Sequence, residues 1–189
     1  MSFFIRKGTR IDLQGIDELV KLVKENLLEQ HIFQWDDNYP NKEYLEHCIH
    51  EGDLYVLEDD QDIKGIVVLN EWQSQEWESI HWTEGSPLVI HTLCIHPKDQ
   101  GKGIGKQLLL FCEDYAKKNE YDHIRLDAFA GNKTALGLYE KYGYEYRGDV
   151  QFDFKPVGHE TYRCYEKALG GKVFIGKSSD KTVEVADKK

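Results

Sequence analysis

Three glycines in five residues, Gly101, Gly103 and Gly105, stand in the stretch HPKDQGKGIGKQLLL, between an apolar run and a segment with helical apolar spacing. Glycine inside an element is disfavoured by roughly 0.5–1 kcal/mol relative to alanine, because it loses more backbone freedom on folding. A bare backbone where a helix begins has a recurrent chemical use. The first-turn N–H groups lack intrahelical partners, and the helix dipole places partial positive charge there. Together they make a site for phosphate-like anions. Spacing removes two glycine-rich phosphate motifs: counting from Gly101, Lys106 stands where both G-x-x-x-x-G-K-[ST] and G-x-G-x-x-G require glycine. What is left is Q-G-K-G-I-G-K-Q-L-L, in which Gln100, Lys102, Ile104 and Lys106 surround the glycines.

The elements that position this stretch follow from periodicity. FFIR within Ser2–Arg6 reads as a first strand. Asp12 is placed to cap a helix whose apolar stripe is Leu13, Ile16, Leu19, Val20, Val23 and Leu27. The aromatic segment HIFQWDDNYP leads to a second helix, KEYLEHCIH, stopped by Gly52. Residues 54–57 and 63–69 predict a hairpin across EDDQD, and residues 71–86 a polar loop carrying Trp72, Trp77 and Trp82. Then come a strand at 88–95, a helix at 103–119, a strand at 123–129, a helix at 132–142, and strands at 144–154 and 161–169. Hairpins beside βα units predict a mixed α/β or α+β sheet. Residues 170–189 differ in character; KVFIG and KTVEV could pair across KSSD, and a mobile extension is the preferred reading.

Composition narrows the classes. The chain has 189 residues, enough for one domain with a sizeable core, so 1–169 is expected to be that domain. Its 24 Lys and Arg against 34 Asp and Glu give a net charge of −10, which disfavours nucleic acid and suits a cationic substrate. No run approaches the ~20 apolar residues of a membrane span. MSFFIRKGTR shows no secretory leader pattern. Cys48, Cys94, Cys112 and Cys164 are widely spaced and read as reduced thiols of a cytoplasmic protein. Neither they nor the histidines have metal-ligand spacing, so no metal is expected.

Gln100, Gly103 and Gly105 fill the motif Q/R-x-x-G-x-G/A, and the sequence resembles the GNAT acetyltransferase superfamily there. LCIHP, residues 93–97, is similar to the strand end that precedes this loop in that family. Asn132, Ala135, Tyr139, Gly143 and Tyr144 match the family's second motif, N-x-x-A-x-x-x-Y-x-x-x-G-F/Y, at family spacing. The resemblance covers residues 3–168. It implies a mostly antiparallel sheet of about seven strands with a splayed central parallel pair, flanked by about four helices.

The resemblance further implies acetyl-CoA as acyl donor, lying between the strands at 88–95 and 123–129. The pantetheine arm would pair with backbone of Leu93 and Ile95, and the diphosphate would rest on N–H groups from Gln100 to Lys106. A backbone N–H near Cys94 would stabilise the oxyanion, and Asn132 would hold pantetheine or water, cap the next helix, or both. Tyr139 matches the family's general acid; a phenol, pKa about 10, can protonate a departing thiolate of pKa about 8.5. For the base that receives the amine proton, His91 is the first candidate; Glu71 and Glu84 acting through water, or no base at all, are the alternatives. The acceptor pocket would be built by the two aromatic, acidic segments, with Trp35, Tyr39, Glu71, Trp72 and Glu84 as candidate contacts to an amine. The leading expectation is an N-acetyltransferase of a small-molecule amine; a peptide N-acetyltransferase and a non-catalytic acyl-CoA sensor are the others. Dimers are frequent in the superfamily, and the tail is a candidate for such a contact.

Overall fold

The computed structural model describes residues 3–60 and 62–170. Among them the order is β1 (Phe4–Lys7), α1 (Leu13–Glu29), α2 (Lys42–Glu51), β2 (Leu54–Asp59), β3 (Asp62–Asn70), β4 (Pro87–Ile95), α3 (Ile104–Lys118), β5 (His123–Phe129), α4 (Lys133–Lys141), β6 (Glu145–Gln151) and β7 (Thr161–Ala168). The strands form one sheet in the order β1-β2-β3-β4-β5-β7-β6. Every pairing is antiparallel except that of β4 with β5. This is the mixed, mostly antiparallel architecture that the sequence predicts. The suggested hairpin at residues 172–189 lies outside the described residues.

The sheet is covered differently on its two faces. On one, α3 and α4 bury Ile104, Leu108, Leu109, Cys112, Leu136 and Tyr139 against Leu88, Ile90, Ile124 and Leu126. On the other, the α1 stripe of Leu13, Ile16, Leu19, Val20, Val23 and Leu27 packs with α2 on Leu54, Val56, Ile66 and Val68. Full burial of each such side chain is worth roughly 1.5–3 kcal/mol. The remaining part of that second face, over β5 to β7, has no helix among the described residues. The loop at 71–86 covers it, with Trp77 packed among Val89, Phe129, Val150, Phe152 and Tyr162.

The break in the sheet matters most for function. β4 and β5 pair only at Pro87–His123, Leu88–Ile124 and Val89–Arg125. Beyond Val89 the pairing stops, leaving the β5-facing main chain of Leu93–Ile95 without a strand partner among the described residues. Thr92 sits in the separated stretch at φ 49°, a left-handed conformation rare for a β-branched residue. The β3–β4 register shifts there, and such a bulge re-aims the residues that follow.

Three local expectations are corrected. Asp12 does not cap α1 through its side chain; it ends a 3-10 turn, Arg10–Asp12. Its carboxylate accepts from the Thr9 N–H at 2.7 Å and pairs with Arg6 at 2.8 Å, a stronger claim on it than an N-cap role. The loop at 71–86 contains a 3-10 turn, Gln75–Ser79, which carries Trp77 into the core. β6 stops at Gln151 rather than Phe154, and residues 152–160 turn back with Gly158 at φ 86°.

Candidate active site

The glycine loop divides by function. Gly101 and Gly103 have φ of 76° and 84°, and a Cβ on either would meet nothing within 4 Å. Their left-handed backbone, not crowding, requires glycine. Gly105 is different: a Cβ there would come within 3.0 Å of Leu138 and 3.2 Å of Ile95, so its bareness lets α3 approach α4 and β4. Gly103 is the N-cap residue of α3 and supplies no side-chain cap, which leaves the first-turn amides available to an outside acceptor. Ile104 is buried in the core and offers only main chain. Lys102 is held by Asp99 at 2.8 Å. Gln100 and Lys106 line the adjoining cleft.

That cleft has a volume of about 420 Å³ and also takes in Leu93, Cys94, Ile95, Trp35, Asn132 and Tyr139. A hollow of about 470 Å³ between α1 and the start of β3 contains none of the motif residues apart from His96, so the motif residues gather in the former. Burial pushes the Cys94 thiol up to about 12, which leaves only its backbone useful. Asn132 caps α4, its Oδ1 accepting from the Ala135 N–H at 3.1 Å, while its Nδ2 donates to Gln34 at 2.9 Å. Tyr139 is 6 % exposed, and its hydroxyl makes no hydrogen bond to a described residue. Burial, with smaller contributions from Cys112 and Asp127, raises its pKa above the usual phenol range. It therefore stays protonated at neutral pH. The donor set fits a nucleotide thioester: free amides for a diphosphate, unpaired strand edge for an amide-bearing arm, and a phenol at the inner end.

The acceptor-side candidates separate. Tyr39 is brought in: its hydroxyl and that of Tyr44 bond to Thr92 Oγ1 at 2.9 and 3.0 Å, on the bulge of β4. Trp35 packs on the α1–α2 core and borders the cleft. His91 lies on β4 with its ring 5.8 Å from that of Trp72, which is itself 65 % exposed. Burial drives the His91 pKa down to about 4, and its Nε2 has no hydrogen-bond partner among the described residues. Glu71 and Glu84 are not brought in. Glu71 accepts from Tyr121, just beyond the C-terminal end of α3, roughly 22 Å along that helix from the glycine loop. Glu84 precedes Pro87, the far end of β4, roughly 20 Å of strand from Leu93.

Other residues at the site have no motif to announce them. Gln34 ties two loops together: its carbonyl accepts from Lys155 Nζ at 2.7 Å and Tyr162 Oη at 3.2 Å, while its side chain accepts from Asn132. Asp127, on β5, accepts from Trp77 Nε1 at 2.8 Å. A charged residue amid the apolar strand HIRLDAF, just ahead of the Asn132 motif, was the one available signal for it.

A seven-stranded sheet that splits at its parallel pair, with an amide-rich helix start beside the split, is the architecture of an acyl-CoA-dependent transferase. The model of the Acetyltransferase (GNAT) family matches residues 19–144, and the chain belongs to this family. It is similar to a Staphylococcus aureus Mu50 protein described as an acetyltransferase, with 30 % identity, a TM-score of 0.68, and coverage of 88 % of this chain and 99 % of that one. The N-acetyltransferase paiA of Thermoplasma acidophilum, solved with coenzyme A, has 23 % identity, a TM-score of 0.66 and coverage of 89 % and 99 %. The yncA protein of Salmonella typhimurium, solved with acetyl-CoA, has 16 % identity, a TM-score of 0.68 and coverage of 92 % and 97 %. No curated protein matches the chain.

Proposed function

We propose that the protein transfers an acetyl group from acetyl-CoA to a primary amine of a small molecule, with Tyr139 as general acid. One observation carries this reading: the left-handed glycine turn, the strand edge at Leu93–Ile95 and the Tyr139 phenol all border one cleft. Acetyl-CoA supplies a thioester carbonyl as electrophile and a thiol as leaving group. Amides from Gln100 to Lys106 hold its diphosphate, and the main chain of Leu93 and Ile95 holds its arm. Lys106 adds charge at the cleft rim, while Lys102 is largely neutralised by Asp99. Tyr139 gives its proton to the departing sulfur. The bonds of Asn132, Lys155 and Tyr162 to Gln34 draw the α1–α2 connection across the open end, which favours a small acceptor over an extended peptide.

The test is a panel of amines and short peptides with acetyl-CoA, read by mass spectrometry and thiol release, for the wild type and Tyr139→Phe. The expected result is acetylated small amines, with kcat for Tyr139→Phe lower by about 10²–10³-fold and acetyl-CoA affinity within twofold. Equal kcat in the variant would remove Tyr139 from the mechanism. No acetyl-CoA binding by the wild type at millimolar ligand would reject the reading altogether.

A further inference from the structure

We propose that Thr92, held by the phenols of Tyr39 and Tyr44, is a positioning residue: it turns the Leu93 N–H into the gap between β4 and β5, where that N–H holds the oxygen of the donor's thioester carbonyl. This rests on the transferase reading above. Thr92 is 7 % exposed and lies at φ 49°, a conformation that is costly for a β-branched residue and persists only where its surroundings hold it. From the pair Ile66–Cys94 to the pair Val68–His91, β3 moves two residues and β4 three, so β4 carries one extra residue there. The packing records the slip. Ile90, Leu93 and Ile95 all pack toward α3, whereas Cys94 packs toward α1. Two residues stand between Ile90 and Leu93 where strict alternation allows one.

The slip decides where the amides point. The His96 N–H bonds to the Lys64 carbonyl of β3 at 2.8 Å. Main-chain N–H groups alternate between the two edges of a strand. That of Cys94 therefore shares the β3 edge, and those of Leu93 and Ile95 face the β5 side, where pairing has stopped. Ahead of the bulge the edges are exchanged. The Leu69 N–H goes to the Asp53 carbonyl beside β2 at 2.9 Å, so Val68 faces β4 and its partner His91 faces β3. An unbroken strand would turn Leu93 and Ile95 onto β3 as well. The cleft reaches this point, since Leu93, Cys94 and Ile95 all line it.

Two phenols hold the extra residue in place. Tyr39 Oη and Tyr44 Oη lie 2.9 and 3.0 Å from Thr92 Oγ1, and both can donate to its lone pairs. Burial raises the pKa of each, so both keep their protons at neutral pH. Their own backbone is fixed: the Tyr39 N–H donates to Asp36 Oδ1 at 3.0 Å, Lys24 Nζ to the Pro40 carbonyl at 2.7 Å, and the Tyr44 N–H to the Asn41 cap at 2.9 Å. In the reaction the amine nitrogen bonds to the carbonyl carbon, and the C=O π pair moves onto oxygen, where the Leu93 N–H stabilises it. That pair returns as the C–S bond breaks, and the bonding electrons leave on sulfur, which takes the Tyr139 proton.

The experiment is infrared spectroscopy of acetyl-CoA, isotopically labelled at the carbonyl carbon and bound to the enzyme. It is read beside kcat with the fastest amine of the panel above and acetyl-CoA affinity by calorimetry. Thr92→Val keeps the branched shape and loses both bonds, Tyr44→Phe loses one, and Thr92→Ser keeps the hydroxyl. In the wild type the bound carbonyl stretch should lie below that of free acetyl-CoA. Thr92→Val should lose most of that shift and about 10²–10³-fold in kcat, Tyr44→Phe should lose part of both, and Thr92→Ser should stay within threefold of wild type. All three should bind acetyl-CoA within twofold of wild type. Tyr44→Phe, which removes only a hydroxyl, carries the test if Thr92→Val does not fold. A wild type that binds acetyl-CoA with its carbonyl stretch unshifted refutes the Leu93 donor. A folded Thr92→Val or Tyr44→Phe enzyme that keeps the full shift, whatever its kcat, refutes the clamp, as does a Thr92→Ser enzyme that falls as far as Thr92→Val. A wild type that binds no acetyl-CoA overturns the transferase reading, and this proposal with it.

Discussion

Replacing Asp127 by asparagine should stabilise the protein, and the pH dependence of that gain follows from the carboxylate's surroundings. Burial raises the carboxyl pKa from 3.8 to about 6, so the folded state holds the proton that the unfolded state releases. Between those values the native state binds more protons, and stability falls as pH rises. Above pH 6 the full penalty of the ionised group is present. The rise corresponds to ~3 kcal/mol at about 1.4 kcal/mol per pH unit. Asp127 is half-buried, however, and solvent screening brings the expected gain to ~1–2 kcal/mol. Asparagine is neutral throughout and can still accept from Trp77. Urea unfolding at pH 7.5 should therefore place Asp127→Asn ~1–2 kcal/mol above wild type, and the gap should narrow to about a third of that at pH 4.5. A variant no more stable than wild type at pH 7.5, or a gap unchanged by acid, would refute the reasoning about the buried carboxylate.

Two further perturbations separate site from scaffold. Gly103→Ala should lose ~1–2 kcal/mol from its left-handed backbone and weaken acetyl-CoA binding, whereas Gly105→Ala should lose ~1–3 kcal/mol by overpacking against Leu138 and Ile95; thermal unfolding and calorimetry check both, and a stabilised Gly105→Ala would contradict the packing. Glu166→Gln breaks a pair with Arg125 whose side chains are 8 % and 4 % exposed; Arg125 keeps bonds to Gln73 and the Thr83 carbonyl, so the loss should sit at the low end, ~3 kcal/mol by urea unfolding.

What the sequence discloses here is what repeats locally. The α1 stripe, the Gly52 stop and β5 stand in the structure as periodicity and turn chemistry predict, because each depends on neighbours within a few residues. The motif residues Gln100, Gly103, Asn132 and Tyr139 are legible by spacing and meet in one cleft. The separation of β4 from β5 has no such signature, since it depends on where pairing ceases between strands that are far apart in sequence. Glu71 and Glu84 look like acceptor contacts because they flank tryptophans, yet the chain carries them to the other end of the sheet. The Gln34 contacts to Lys155 and Tyr162 span 121 and 128 residues, beyond any local pattern. Asp127 is a single acid in a strand, and only its surroundings make it unusual.

The electrostatics of the whole site explain why those surroundings differ at its two ends. A chain with net charge −10 is a poor host for a diphosphate unless the anion meets main-chain dipoles rather than the protein's mean field. On the proposed reading the glycine turn does this mainly with backbone, since Lys102 is already paired with Asp99 and Lys106 adds charge only at the rim. At the acceptor end the requirement is reversed: a cation must enter, and a proton must leave it. On the proposed reaction that end calls for a side chain, because a backbone carbonyl can bind an ammonium but cannot keep its proton. The gap between β4 and β5 gives both ends access to one reaction centre without breaking the sheet that holds them. It follows that variants of the glycine turn should act on donor affinity, and variants of Trp35 and Tyr39 on acceptor choice, with little coupling between the two sets.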